Sequence, residues 1–265
     1  MLLALDVGNT ALSFGIYDGT ELKAEWSVAT DRRKTQDEYG LLFLALLEYR
    51  GFTPKDIKSV VVASSVPPVV PTLDRMFQKY FHIKPLVVGP GVKTGMVIRY
   101  DNPREVGSDR IVIAVAAYEK YGGPLIVVDF GTATIFDVIS KDGEYLGGVM
   151  APGVTVSVEA LFTQAAKLPR IELVKPRTVL ARNTIHAMQS GVIYGFAGQV
   201  DEVVARLTEE LGAAAAGLKV VATGDTATAE LVAPETTVIQ AIDPHLNLEG
   251  LRVIYERNTA ARGER

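Results

Sequence analysis

The sequence predicts an α/β protein made of two duplicated halves, each with five strands and flanking helices. Three observations carry this. Short apolar runs alternate with longer apolar-striped segments, as strands alternate with helices. The order β-β-β-α-β-α-β runs through the chain twice. And two stretches of the first half reappear in the second: ALDVGNTALSFGIYDGT at Ala4–Thr20 matches VVDFGTATIFDVISKDGE at Val127–Glu144, and VVVASS at Val60–Ser65 matches KVVATG at Lys219–Gly224. A repeat spaced about 120 residues apart is a duplicated domain, since solenoid repeats run about 20–50 residues.

In the first half, Leu2–Asp6, Leu12–Tyr17 and Glu21–Val28 read as strands, with Asp18-Gly19 turning the second into the third. Asp37–Tyr49 is an apolar-striped helix that stops before Gly51. Ser59–Ala63 is a buried strand, Val70–Tyr80 a helix and Pro85–Val88 a strand. Gly89–Asn102 is loop-rich, and Arg104–Tyr121 is a helix ended by Gly122-Gly123-Pro124. The pattern then restarts: strands Pro124–Asp129, Ala133–Ile139 and Glu144–Met150, and helices Val154–Ala166 and Ile185–Leu211. Strand Lys219–Ala222, helix Thr226–Val232, strand Thr237–Gln240 and closing helix Asn247–Arg257 complete it, with a polar, frayed tail from Asn258. These bounds predict domains at 1–113 and 114–257 and a tail at 258–265.

Each echo puts a carboxylate at a strand end, then a glycine, then hydroxyl or amide side chains. The first loop offers Asp6, Gly8, Asn9 and Thr10, and the second Asp129, Gly131, Thr132 and Thr134. Glycine permits close backbone approach, and successive N–H groups can cradle an anion. Aspartates repel phosphate unless a cation lies between, so two such loops facing one another would hold a polyphosphate with its metal. Two ordinary hairpin turns, with Asp and Asn in turn positions, are the competing reading.

A further constellation is RYDNPREVGSDR, Arg99–Arg110, where Gly107-Ser108-Asp109-Arg110 opens an apolar helix. Asp109 reads either as a helix-end charge or as the acceptor of a hydroxyl proton in phosphoryl transfer. The glycines of GGVMAPG, Gly147–Gly153, allow a ligand to approach closely or simply connect a strand to a helix. In ARNTIHAM, Ala181–Met188, Asn183 or Thr184 starts a helix, where capping alone explains one of them. GPGVKTG, Gly89–Gly95, departs from a P-loop because Val92 precedes Lys93 where glycine is required. The three histidines, His82, His186 and His245, lack ligand spacing.

Composition excludes other classes. With 48% hydrophobic residues and a net charge of −4, the chain suits a packed core and lacks a basic field for nucleic acid or an anionic membrane. The short basic group Arg32-Arg33-Lys34 reads as solvated loop. There are no cysteines, hence no disulfides and no thiolate chemistry. No apolar run approaches the ~20 residues of a membrane span. The N-terminus has no basic leader region and enters a strand at once, which predicts a cytoplasmic protein.

The ordered set Asp6-Val7-Gly8-Asn9-Thr10, Tyr100, Gly107-Ser108-Asp109-Arg110, Asp129-Phe130-Gly131-Thr132-Ala133-Thr134, Gly147-Gly148, Pro152-Gly153 and Thr184 resembles the type III pantothenate kinase family. That family lies within the actin-like, sugar-kinase and Hsp70-like ATPase superfamily. The resemblance implies duplicated ribonuclease H-like domains, each a mixed five-stranded sheet flanked by helices. It implies ATP-dependent phosphorylation of the 4′-hydroxyl of pantothenate, the first step toward coenzyme A. By similarity the first loop, Asp6, Val7, Gly8, Asn9, Thr10, Ala11, Leu12 and Ser13, receives ATP phosphates, and Thr132 contacts ATP. Asp129 helps bind a monovalent cation, potassium or ammonium, and Mg²⁺ accompanies the nucleotide. Tyr100, Gly107, Ser108, Asp109, Arg110 and Thr184 form the pantothenate site, with Asp109 the proton acceptor, and members are generally homodimers. One departure is Asp225 after Thr223-Gly224, where the family often has a second glycine; it puts nucleotide preference, rather than reaction type, in question. Two alternatives stay open: a superfamily kinase acting on another small acceptor, and a nucleotide-binding regulator without kinase activity.

Overall fold

The computed structural model describes Met1 to Gly263; Glu264 and Arg265, the end of the predicted tail, lie outside the described residues. In chain order the elements are β1 (Leu2–Val7), β2 (Ala11–Asp18), β3 (Glu21–Ala29), α1 (Gln36–Tyr49), β4 (Ser59–Ser64), α2 (Val70–Phe81), β5 (Leu86–Val87), β6 (Val97–Ile98) and α3 (Ser108–Tyr121). There follow β7 (Leu125–Phe130), β8 (Ala133–Ile139), β9 (Glu144–Pro152), α4 (Val154–Gln164), α5 (Thr184–Leu211), β10 (Lys219–Gly224), α6 (Thr226–Val232), β11 (Ala241–Ile242) and α7 (Leu246–Gly263). The chain forms two compact units. The first takes Met1–Met96, Asn102–Ala116 and the chain from Leu246; the second takes Val97–Asp101 and Ala117–His245.

In the first unit the sheet order is β3-β2-β1-β4-β5, antiparallel through β1, β2 and β3 and parallel from β1 through β4 to β5. Side chains alternate faces along a strand. Leu3, Leu5 and Val7 of β1 thus join one buried core with α1 and α2, while Asp6 falls on the opposite face. Phe14 anchors that core, stacked 4.3 Å from Phe43 and 4.9 Å from Trp26. A capping box starts α1: Glu38 N donates to Thr35 Oγ1 at 3.3 Å, and Thr35 N donates to Glu38 Oε2 at 2.7 Å.

In the second unit the order is β11-β10-β7-β8-β9-β6. Its first five strands repeat the first sheet in reverse listing, with the same parallel and antiparallel pairs. The mixed sheets flanked by helices are as predicted. The second carries a sixth strand beyond the expected five, because Val97 and Ile98 pair with Glu144 and Tyr145 inside the stretch expected to be loop. Ile126, Val128 and Phe130 of β7 pack into a core with Ala197 and Val200 of α5 and Ala229 of α6.

Three element boundaries differ from the expectation. The strand expected at Thr237–Gln240 lies at Ala241–Ile242 instead. The amide of Thr237 is taken by Asp201 Oδ1 at 2.9 Å and that of Ile239 by Thr236 Oγ1 at 3.4 Å, so side chains hold 237–239 out of the ladder and backbone pairing with β10 begins only at Gln240, whose amide donates to the Val220 carbonyl at 2.9 Å. The helix expected from Arg104 is a short 3₁₀ turn, Pro103–Glu105, followed by extended Val106 and a fresh start at Ser108. The closing helix continues past Arg257 to Gly263, and the Asn258 side chain donates to the Ile254 carbonyl at 2.7 Å in place of fraying.

Candidate functional site

Asp6 is the penultimate residue of β1, on the face covered by α7. Its Oδ2 accepts from Asn247 Nδ2 at 3.0 Å. Its Oδ1 is shut off from solvent and has no hydrogen-bond partner. Burial pushes the carboxyl up to about 6; the Asn247 hydrogen bond works against this, and the negative Asp109 adds to it. The structure thus brings two of the predicted residues into one electrostatic neighbourhood. Asp109 lies in the first turn of α3, its carboxylate folded back onto the Cα of Gly107, where a β-carbon would collide with Oδ1. A side chain at position 107 would therefore displace the Asp109 carboxylate from this position. Arg110 is largely buried beside it, and Ser108 opens the helix.

The loop from β1 to β2 is closed by Gly8 N donating to the Ala11 carbonyl at 2.9 Å. Asn9, Thr10 and Ala11 are exposed, whereas Val7 and Leu12 are buried and paired across the hairpin and Ser13 pairs with Asp6. Arg32 and Arg33 of the basic group are exposed, as expected of a solvated loop, and Arg32 adds one contact. Its Nη2 donates to Asn9 Oδ1 at 2.9 Å, and its neighbour Thr30 donates to the Gly8 carbonyl at 2.7 Å, so this segment is laced to the loop. The sequence signal was available only as a cation 23 residues from Asn9.

The second loop repeats this closure: Gly131 N donates to the Ala133 carbonyl at 3.0 Å. Asp129 is the penultimate residue of β7, with Gly224 of β10 set so close that a β-carbon there would strike Asp129 Oδ1 and the Phe130 carbonyl; Gly224 also has φ +95°, open to glycine but not to most residues. Thr132 is exposed at the loop tip, its carbonyl accepting from Gly153 N at 3.0 Å. Asp225 spends its carboxylate on capping α6, accepting from Thr228 N at 2.8 Å. Two glycines of the 147–153 stretch serve protein backbone: β-carbons would meet the Phe136 carbonyl at Gly148 and the Gly131 and Thr132 carbonyls at Gly153, whereas Gly147 has φ +128° and faces the Tyr100 ring.

Tyr100 and Thr184 also belong to the second unit. Tyr100 follows β6, the edge strand, so β8 and β9 separate it from Asp129 in the sheet. Its ring lies against Gly147, 6.4 Å from the ring of Tyr145, whose hydroxyl donates to buried Asp137 at 2.7 Å. At α5 the cap is Asn183, which accepts from His186 N at 2.9 Å, so Thr184 is relieved of that duty and stands exposed.

Among the described residues no three His, Cys, Asp or Glu side chains cluster as a metal cage. The buried, partnerless Asp6 Oδ1 nonetheless suits a cation that brings its other ligands with it, such as one carried by a triphosphate. No helix of the described residues is long and apolar enough to cross a membrane.

Comparison with known proteins gives one direction. The family model described as type III pantothenate kinase matches residues 2–206. The chain is 62% identical over 266 residues to a type III pantothenate kinase 2 of Symbiobacterium thermophilum, covering all of both chains. Among solved structures it is similar to the activator of the 2-hydroxyisocaproyl-CoA dehydratase from Clostridium difficile with bound ADPNP, at TM-score 0.60, 14% identity and 100% and 97% coverage. It is similar also to Ta0583, an archaeal actin homolog, at TM-score 0.51, 11% identity and 97% and 99% coverage. These two likenesses speak for the fold, which is actin-like.

Proposed function

The chain belongs to the type III pantothenate kinase family, and from that premise we propose that it transfers the γ-phosphoryl group of ATP to the 4′-hydroxyl of pantothenate. The observation that carries the reading is the pairing of Asp6 and Asp109 in one neighbourhood, with one Asp6 oxygen buried and unpartnered. Such an arrangement suits a phosphate-bearing ligand that carries a cation, next to a proton acceptor.

In this reading the pantothenate hydroxyl oxygen attacks the γ-phosphorus, the bond to the bridging oxygen breaks, and ADP leaves. Asp109 takes the hydroxyl proton. The loop Asp6–Ser13 receives the phosphates and Thr132 contacts the nucleotide. Asp6 would hold the Mg²⁺ that accompanies the nucleotide and Asp129 a monovalent cation, and both ions would offset the negative charge of the transferring group. Tyr100, Gly107–Arg110 and Thr184 hold pantothenate. Most of the rate then comes from positioning and electrostatics. The chain acts in the cytoplasm and as a homodimer, without nucleic acid. The exposed apolar side chains Met150, Val156, Leu161, Val179, Leu180 and Ile185 support a protein-covered surface on the second unit.

The test is Asp109→Asn in a coupled ADP-release assay. Turnover falls by about 10²–10⁴, the range for a general base, with ATP binding retained; near-normal turnover would remove the assignment. Exchanging K⁺ for Na⁺ in the same assay slows the wild type, and indifference would remove the monovalent cation.

A further inference from the structure

Asn247 belongs to no motif in the sequence, and 241 positions separate it from the carboxylate it touches. Its own carbonyl Oδ1 accepts from Leu248 N at 2.8 Å, which fixes which way the amide points. The Nδ2 group therefore faces Asp6 and donates to Oδ2 at 3.0 Å. With Oδ2 engaged, Oδ1 is the oxygen left bare in a buried place.

The helix that presents Asn247 is held firmly. Leu246 and Leu251, on either side of it in α7, are fully buried. Gly250 sits so tightly against the Val112 carbonyl of α3 that a β-carbon could not be inserted. Tyr255 donates to Ser59 Oγ of β4 at 2.6 Å. The same α3 carries Asp109 in its first turn. One helix thus fixes its register against both β1, which bears Asp6, and α3, which bears Asp109.

The chemistry of the amide matters. A lysine or arginine at 247 would neutralise Asp6 and compete with any cation. An apolar residue would leave both carboxylate oxygens bare in a buried setting, where the ion is costly. A neutral amide offsets part of that cost while leaving the full negative charge available. Resting on the nucleotide role proposed above for the first loop, we infer that Asn247 is a positioning residue that holds Asp6 with one oxygen presented to the cation carried by the nucleotide.

The experiment is calorimetric titration of the full-length protein with a non-hydrolysable ATP analogue, with Mg²⁺ and then with the metal chelated. In Asn247→Leu, affinity with Mg²⁺ falls about 10- to 100-fold, as for loss of a hydrogen bond to a charged group, while the weaker metal-free binding is unchanged. The KM for pantothenate stays at the wild-type value. Should the leucine variant fail to fold, the smaller Asn247→Ala decides: it removes the donor without adding charge or bulk and shows at least the same metal-dependent loss. Wild-type affinity in a folded variant overturns the inference, as does an equal loss with and without Mg²⁺, the mark of a merely structural role. A wild type that binds the Mg²⁺ complex but does not phosphorylate pantothenate defeats the proposed reaction and leaves the Asn247 comparison decisive.

Discussion

Asp6 in the first unit is half-buried with its Oδ1 shut off from water, Asp243 in the second is buried, and their surroundings are opposite. Asp243 follows β11 and is 4% exposed. It accepts from Lys120 Nζ at 2.7 Å, Tyr121 Oη at 2.9 Å and His245 N at 3.3 Å. Burial pushes its carboxyl up, but the Lys120 and Tyr121 contacts outweigh that and hold it below the usual carboxylate range. Asp6 has one neutral donor and a second carboxylate nearby, and is driven up to about 6. Burial alone therefore says little about a carboxylate's role. A buried acid with every oxygen engaged ties elements together, whereas one left short of donors stores unfavourable energy that a cationic ligand can relieve.

The largest effect that can break this contrast is at Lys120. In Lys120→Met the Asp243 carboxylate stays buried without its cation; because the Lys120 side chain is 45% exposed, the cost is about 3 kcal/mol, at the bottom of the range of about 3–5 kcal/mol for a fully buried pair. Urea unfolding near neutral pH should show that loss, and it should shrink in acid as Asp243 protonates. A variant as stable as wild type would mean that Asp243 is not a tie at all.

Asp6→Asn should act in the reverse direction. A carboxyl at about 6 in the folded chain against 3.8 unfolded penalises the fold by at most about 3 kcal/mol once ionised. The sign follows from the raised value: the penalty is complete above about pH 6 and disappears as the pH falls toward 4. The ligand-free asparagine variant should therefore be more stable than wild type at neutral pH and indistinguishable near pH 4, while nucleotide binding is lost. A destabilised variant at neutral pH would show that Asp6 is as well satisfied as Asp243.

The sequence announced one of these two acids and not the other, for physical reasons. Asp6 was visible because its signal is local: a charge closing an apolar strand before glycine, with an echo at Asp129. The duplicated sheets were visible for the same reason, since strand alternation and turn residues act over a few positions. Asn247 and the Lys120–Asp243 pair were not, because their partners lie 241 and 123 residues away and only the fold joins them. At Gly148 and Gly153 the sequence leaves ligand approach and plain connection both open, because a glycine marks close approach without naming what approaches. The misplaced strand at Thr237–Gln240 failed because Val238 and Ile239 pack on the second core without joining a ladder.

The finest test of the contrast removes one donor and leaves the rest. Tyr121→Phe deletes the hydroxyl that reaches Asp243 Oδ2 and keeps the ring and Lys120. Loss of a single hydrogen bond to a charged acceptor costs about 1.5 kcal/mol. Because the Asp243 carboxyl is held low in the folded chain, its stabilising contribution is present above the unfolded value and is lost as pH falls through the folded one. Taking away a donor moves the folded value upward, so the acid limb of the stability curve should begin at higher pH in the phenylalanine variant. The two proteins should converge once Asp243 is protonated in both. Urea midpoints measured from neutral pH into acid test this, and a constant offset at every pH would assign the cost to ring packing instead of to the carboxylate.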